Sequence, residues 1–479
     1  MAYDYDVLVI GMGPAGMAIS AMAAEMDLKV CGIESHRLGG ECMNVGCIPS
    51  KALLRMAKTR NAVSLLDRME LETVSLPQVR NPFQRIQSDI HYINNSKTKR
   101  MFEKVDLVLQ QGTASFVDPH TVAVGDFQED GTAECTIIAK RIFIATGTQP
   151  AIPPFPGIDS VEVLTNNNLF SLDRIPESLV ILGGGAIACE MAQAFSRLGS
   201  RCTMIIRGPN LLRGVDADAV KLLEDTFQQA GIEILRRQTI QQIMPTPEGG
   251  VKVLTEEGEV VEAEKLLVAT GRKMDFSGLN LEKAGVKYDS TGIQVNPYLQ
   301  TSQKHIFAVG DCNGYAQFSH AAMHQGMIAL INTLMPHPLK QDFRQFVVPW
   351  TVFTEPQISH VGPSEEDLQA QKTAYETVQV RYEDYGAAIA EGVDIGFVKV
   401  LTNATGKLFA ATVVGEGSGE MVNEWGLAIQ RKLRMVDILF LQHSFPSMAF
   451  LNKRIAETWM MKRMKLSWLR AITRTLYRL

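Results

Sequence analysis

A strand that ends in a glycine turn and leads directly into a helix occurs twice in this chain, and any fold must house both copies. The first runs DVLVI from Asp6 to Ile10, then GMGPAG from Gly11 to Gly16, then an alanine-rich helical stretch. The second begins near Ser178 as SLVILGGGAIACE. A short, continuously apolar strand is covered on both faces, which means a parallel sheet flanked by helices. Glycine at the turn admits a pyrophosphate to the helix N-terminus, where unpaired N–H groups and the helix dipole favour an anion. Two such units predict two Rossmann-like dinucleotide-binding domains in one α/β chain.

In the first unit Gly11, Gly13 and Gly16 supply the tight turn, the close backbone approach and the helix packing. Glu34 ends the following strand, about 20 residues on, where a ribose-binding carboxylate is expected. The second unit has Gly183, Gly185 and Ala188 in the equivalent places, but its next strand ends TMIIRG. That puts Arg207, with Arg213 shortly after it, where a 2′-phosphate would sit. Arginine there accommodates NADPH and a carboxylate would favour NADH, so NADPH is the expected nucleotide and NADH the less favoured one. The alternative is a pair of surface arginines on a loop.

Two further strand-like runs close on the same tripeptide, RIFIATG at Gly147 and KLLVATG at Gly271, and read as the exits from the two nucleotide domains. The Pro-rich stretch after Gln149 and the segment after Arg272 are the preferred borders. The expected division is residues 1–150 with 275–346 as a discontinuous first domain and 151–274 as the second. Residues 347–455 form an α+β domain and 456–479 a basic tail.

With 46% hydrophobic and 21% charged residues and a net charge of -5, the 479-residue chain reads as soluble and globular, with no nucleic acid as a whole-chain partner. The start MAYDYDVLVIG lacks a basic n-region, so a cytoplasmic location is expected. No apolar run is long enough to span a bilayer, and any membrane contact would be peripheral. Seven scattered cysteines do not form a secreted disulfide framework.

One cysteine pair is motif-like, in GGECMNVGCIPSK from Gly39 to Lys51. Cys42 and Cys47 lie about a helical turn and a half apart, a spacing that can bring two sulfurs together. Pro49 suits the first turn of a helix, and a thiol at a helix N-terminus is held as thiolate. The other readings are two ordinary thiols or half a zinc site. No CxxC or histidine partner completes such a site, so no metal is expected.

With this motif, the two glycine turns, the two ATG exits, HIFAVGDCNG at His305 to Gly314 and VFTEPQISHVG at Val352 to Gly362, the chain from about Tyr5 to Met448 resembles a known family. These are the class I pyridine nucleotide–disulfide oxidoreductases, which include dihydrolipoamide dehydrogenase, glutathione reductase and mercuric reductase. The resemblance implies FAD in the first unit, a C-terminal α+β dimerisation domain and a homodimer. It assigns Cys42 as the thiol that attacks substrate and Cys47 as the thiol stacked on the flavin, with Lys51 at the flavin ring paired to Glu190. Gly40, Thr146, Gly147 and Gly271 join the cofactor-binding set. Asp311 would hold the FAD ribityl chain, and the segment near His320 would pass the flavin pyrimidine edge. Hydride would go from nicotinamide to flavin and the electrons on to the Cys42–Cys47 disulfide. The Arg207 and Arg213 pattern looks like that of glutathione reductase.

The family pattern breaks near the C-terminus. Its members carry His-x-His-Pro followed by a Glu, and the second His moves the proton; here the segment reads HSFPSMAF from His443 to Phe450. Phe445 stands for the catalytic His and Phe450 for its Glu, which removes general acid–base help of typically ~10² to 10⁴ in rate. His443 could substitute if the local backbone shifts; otherwise it is structural. Mercuric reductases deliver metal with a C-terminal cysteine pair, but no cysteine follows Cys312, which disfavours mercury reduction. The expected activity is an FAD-dependent NAD(P)H oxidoreductase with a redox-active disulfide, similar to dihydrolipoamide dehydrogenase. Its acceptor would be a small-molecule or protein disulfide, or another small, apolar electron acceptor. The alternatives are a membrane-surface NAD(P)H dehydrogenase that reduces a quinone, and a redox-sensing scaffold without turnover.

The tail reads WMMKRMKLSWLRAITRTLYRL from Trp459. Met461, Met464, Trp468, Ile472, Leu476 and Leu479 recur at helical spacing with Lys and Arg on other faces. One basic amphipathic helix over 459–479 is expected, either a membrane-surface anchor or a helix packed across the dimer.

Overall fold

The computed structural model describes residues 2–125 and 135–478, with the side chains of Trp468 and Leu469 outside that description. The apolar run at the start forms β1 (Tyr5–Ile10), whose last four residues are buried. α1 (Pro14–Glu25) follows the glycine turn with proline in its first turn, where the missing N–H is no loss. β2 (Val30–Glu34) is buried throughout, and α2 (Gly40–Asn44) and α3 (Cys47–Val63) carry the cysteine motif. β3 (Asp106–Leu109), β4 (Thr113–Phe116), β5 (Thr121–Gly125) and β6 (Cys135–Ile144) complete the N-terminal half of this domain.

The parallel sheet runs β3-β2-β1-β6 and gains a further strand, Ile306–Ala308, on the far side of β6. β6 is long enough to serve twice: its first residues pair antiparallel with β5, and its last pair with β1 and with Ile306–Ala308. The returning segment also supplies the helix Ser319–Leu334, which packs on α1 so closely that a Cβ at Gly326 would lie 2.7 Å from the Ala15 carbonyl oxygen. Residues on both sides of the second unit therefore build one sheet and its helical cover.

The second sheet is also parallel, in the order Glu233–Arg236, Arg201–Ile206, Ser178–Leu182, Lys265–Val268, Val163–Leu164. An antiparallel ribbon, Ile240–Pro245 with Val251–Thr255 and Val260–Ala263, packs beside it. Where the chain enters and leaves this unit, Gln149–Pro150 and Arg272–Lys273 pair with each other.

The C-terminal domain is a five-stranded antiparallel sheet in the order Trp350–Val352, Ile358–Val361, Leu408–Val414, Phe397–Thr402, Glu376–Arg381, covered by the helices Ser418–Gln430 and Phe450–Met464. The strand Glu376–Arg381 was not anticipated, because its sequence ETVQVR is too polar to stand out as buried. Two ion-pair groups join this domain to the others. Lys399 Nζ lies 2.8 Å from Asp216 and 2.6 Å from Asp218 of the second unit. Lys58 of α3 reaches Glu355 at 2.9 Å and Glu416 at 2.7 Å, while Arg197 of the second unit also pairs with Glu355.

The tail corrects one expectation. It is not a single helix from Trp459: Phe450–Met464 ends at Lys465, Leu466 is extended, and a separate helix runs Ser467–Leu476. The cause is that Trp459 and Arg463 belong to the docked helix. Trp459 is buried with Arg463 above its ring, and Arg463 pairs with Glu376 at 2.7 Å. Of the expected stripe, the Trp468 side chain and Leu479 lie outside the described residues. Among the described residues no helix is long and apolar enough to cross a membrane.

Candidate active site

The two glycine turns have the same construction. Gly11 N donates to Ile33 O and Ala145 N to Ile10 O; Gly183 N donates to Ile205 O and Ala269 N to Leu182 O. At Gly11, where φ is +95°, a Cβ would sit 2.5 Å from the Ala145 oxygen, and at Gly183 the matching contact to Ala269 would be 2.3 Å. No other residue fits either place. Beyond the turns there is open space: a Cβ at Gly185 would meet nothing within 4 Å, and one at Gly13 would touch only the Gly40 backbone at 4.0 Å. Each helix thus presents its N-terminus to a hollow that a side chain would fill, which fits a pyrophosphate. Ala188 is buried one turn into the second helix, and Gly16 packs α1 on the turn.

Glu34 is 8% exposed, and its carboxylate accepts from the backbone N–H of Met12 and of His36, both at 2.9 Å. It braces the turn and keeps further lone pairs for a ribose. Arg207 and Arg213 are exposed, and among the described residues neither side chain has a hydrogen-bond or ion-pair partner, so their charge is open to an anion.

The cysteines sit where three units meet. Cys42 lies in α2, and Cys47 opens α3 after Gly46. Both are free thiols. The Cys42 thiol donates a hydrogen bond to Cys47, which raises its own pKa, and burial raises it further. The partner moves the other way: Cys47 is pushed down to about 6 by that hydrogen bond, by the Ser319 hydroxyl and by the Lys51 charge, against burial and Glu190. Ser319 Oγ is 3.3 Å from Cys47 Sγ. It opens the helix Ser319–Leu334, and sequence reasoning stopped one residue away at His320; no local signal marks a serine whose partner is far off in the chain.

Lys51 Nζ is 2.8 Å from Glu190, which is almost fully buried on the helix Ala186–Leu198. The other Glu190 oxygen accepts from Phe353 N at 2.9 Å, and Lys51 lies 4.4 Å over the Phe353 ring. One ion pair therefore ties the thiol helix to the second unit and to the C-terminal domain. Burial raises the pKa of Asp311, while Arg272 opposes the shift. Thr148 Oγ1 donates to Asp311 at 3.2 Å and accepts from Arg272 Nε at 2.6 Å, and Arg272 also pairs with Glu41. Glu41, Thr148 and Arg272 were missed; Glu41 stands inside the cysteine motif and Thr148 directly follows the first ATG exit. Thr146, Gly147 and Gly271 lie at the exits beside the two turns, and at Gly147 and Gly271 a Cβ would meet nothing within 4 Å.

His320 is exposed and sits 5.6 Å from the Phe318 ring. It lines an apolar cleft of about 370 Å³ with Met323, His324, Phe346 and Leu427. His443 is held within the C-terminal domain: its side chain is 5% exposed and Nε2 is 3.0 Å from Glu424. Asn452 donates to the same carboxylate and accepts from Trp425. Phe450 stacks on Tyr385 at 6.1 Å and meets Phe445 edge-on at 5.3 Å, with Phe445 69% exposed. Aromatic rings occupy the positions expected to move protons. Among the described residues no cluster of His, Cys, Asp and Glu could hold a metal ion.

The model of the family "Pyridine nucleotide-disulphide oxidoreductase" matches residues 5–326, and that of its dimerisation domain matches 348–453. A mercuric reductase of Streptomyces lividans is 32% identical over 97% of this chain and 98% of its own length. A dihydrolipoyl dehydrogenase of Bacillus subtilis is 30% identical over 89% and 92%. Among solved structures, LpdA from Mycobacterium tuberculosis superposes with a TM-score of 0.84 at 25% identity, covering 94% of this chain and 99% of that one. The HOCl-induced flavoprotein disulfide reductase RclA from Escherichia coli, as its Cu(II) complex, also reaches 0.84 at 25% identity over 96% and 100%.

Proposed function

The chain belongs to the pyridine nucleotide-disulphide oxidoreductases, enzymes that use FAD with NAD or NADP, and we propose that it is an NADPH-dependent homodimer reducing an apolar, disulfide-type or other small acceptor through Cys42 and Cys47. FAD held at the first turn by Gly11, Gly13 and Glu34, with Asp311, would supply the electron pair that opens the Cys42–Cys47 disulfide. The thiol pair then does the rest. Cys42 passes the proton of its hydrogen bond to Cys47, attacks one sulfur of the substrate disulfide and expels the first product, which takes that proton from Cys47 and leaves as a thiol. Cys47, again a thiolate, attacks Cys42 in the mixed disulfide, restores the internal disulfide and expels the second product, which takes a proton from solvent, so two electrons leave as two thiols.

The observation that carries this reading is the placement of two free thiols, Cys42 in α2 and Cys47 at the start of α3, with Ser319 Oγ 3.3 Å from the Cys47 sulfur and Lys51 on the same helix paired to Glu190. A thiol held near pKa 6 is a thiolate at neutral pH. The Lys51–Glu190 pair links this site to the second glycine turn, where the unpaired Arg207 and Arg213 support a 2′-phosphate and hence NADPH. The exposed Phe440, Leu441 and Phe445 of the dimerisation domain support a homodimer. In place of an imidazole at 445, the Phe445–Phe450–Tyr385 cluster supports an apolar acceptor.

The test is an acceptor screen with both nicotinamides, joined to thiol counting. Reduction of the oxidised enzyme by NADPH under anaerobic conditions should expose two new titratable thiols, and Cys42→Ser should abolish disulfide reduction. Exposed Phe445 at the edge of that cluster favours a quinone as second reading; full quinone reduction by Cys42→Ser with no disulfide activity in the wild type would establish it.

A further inference from the structure

The helix Ser467–Leu476 has no buried residue among those described. It lies beyond the matched dimerisation span, and extended Leu466 separates it from the docked helix before it. Ile472 and Leu476, one turn apart, are 48% and 64% exposed, and Leu466 and Tyr477 are exposed beside them. Arg470 and Arg474 are also one turn apart. From Trp459 to the end the chain carries six Lys and Arg and no acidic side chain, although the whole has 52 Asp and Glu against 47 Lys and Arg. Among the described residues only Arg463 of the six has a carboxylate partner, and no carboxylate neutralises Lys462, Lys465, Arg470, Arg474 or Arg478.

We propose that Ser467–Leu476 is an interfacial anchor that lies on an anionic phospholipid surface. Charge complementarity selects this occupant. Unpaired cations beside exposed aliphatic side chains on a short helix match a layer that has phosphate at its face and acyl chains just beneath. The inference does not rest on the redox reading, because it uses no residue of the thiol site.

The test is sedimentation of the full-length holoenzyme with vesicles of phosphatidylcholine alone and of phosphatidylcholine with phosphatidylglycerol. Binding is expected only to the mixed vesicles and should weaken as salt is raised. Each arginine removed in the series Arg470→Gln, Arg474→Gln, Arg478→Gln should weaken it by roughly fivefold, and Ile472→Asp with Leu476→Asp should abolish it. A chain ended after Leu466 should lose vesicle binding and keep its thermal midpoint and its reduction of a soluble acceptor; if that chain does not fold, the arginine series decides. Equal binding to neutral vesicles, no binding to either, or retention on duplex DNA in their place would overturn the proposal. So would a truncated chain that falls from dimer to monomer, since the helix would then cover a second copy.

Discussion

Replacing Cys42 by alanine should leave about half or more of Cys47 protonated at neutral pH. In the reduced protein Cys47 lies at about 6 against an ordinary value of 9.0, and the largest cause is the hydrogen bond from Cys42. A hydrogen bond to a charged group is worth roughly 1.5 to 3 kcal/mol, and one pKa unit is about 1.4 kcal/mol. Its loss should therefore raise Cys47 by roughly one to two units, to roughly 7 to 8. The direction follows from which form is favoured. Cys47 gains its proton as pH falls through its pKa, so at pH 7 about nine-tenths of the wild type is thiolate and a minority to about half of Cys42→Ala is. Cys42→Ser keeps a donor at the same place and should stay close to the wild type. The assay is the ultraviolet thiolate absorbance of the reduced protein against pH, with Cys47→Ser as the blank. If alanine and serine shift the midpoint equally, or neither shifts it, the hydrogen bond does not set the acidity and the reasoning fails.

Ser319→Ala removes the second donor and should move the same midpoint up, whereas Glu190→Gln removes a charge that raises it and should move it down; two shifts of one sign would contradict this. Arg207→Glu should raise KM for NADPH at least about tenfold and leave that for NADH nearly unchanged, since only NADPH carries the 2′-phosphate; steady-state kinetics with both nucleotides decide. Lys399→Met leaves Asp216, 11% exposed, without its cation, and should cost about 3–5 kcal/mol in denaturant unfolding. Phe445→His with Phe450→Glu restores the imidazole and carboxylate that the family uses, and should raise thiol–disulfide exchange by up to ~10² to 10⁴; an unchanged rate would mean that proton transfer at this place does not limit turnover.

The parts of the fold legible in the sequence are those written in adjacent residues. DVLVI with GMGPAG, and SLVIL with GGGAIA, specify strand, turn and helix because part of the requirement for glycine is local: Gly11 and Gly183 take φ of +95° and +125°, and a Cβ at Gly16 would collide with the Gly11 oxygen. Cys42 and Cys47 were legible for the same reason. Ser319, Thr148 and Arg272 were not, because each acts through a partner supplied by another crossing of the chain. The tail misled for the opposite reason. Its periodicity runs across Leu466, but Trp459 is claimed by the pocket around Gly406 and Met435, and a repeat of polarity cannot report where a helix is docked.

The contact between Cys47 and Ser319 spans 272 positions, and Lys51 finds Glu190 only 139 positions later. During synthesis the sulfur therefore leaves the ribosome with Cys42 and Lys51 close beside it in the chain but without Ser319. A nascent or prematurely ended chain lacks that hydrogen bond and holds Cys47 less acidic than the finished protein does, and the thiol reaches its full acidity only when the returning segment closes the first sheet. Full acidity of the thiol thus doubles as a report that the polypeptide has been completed at least through its second pass.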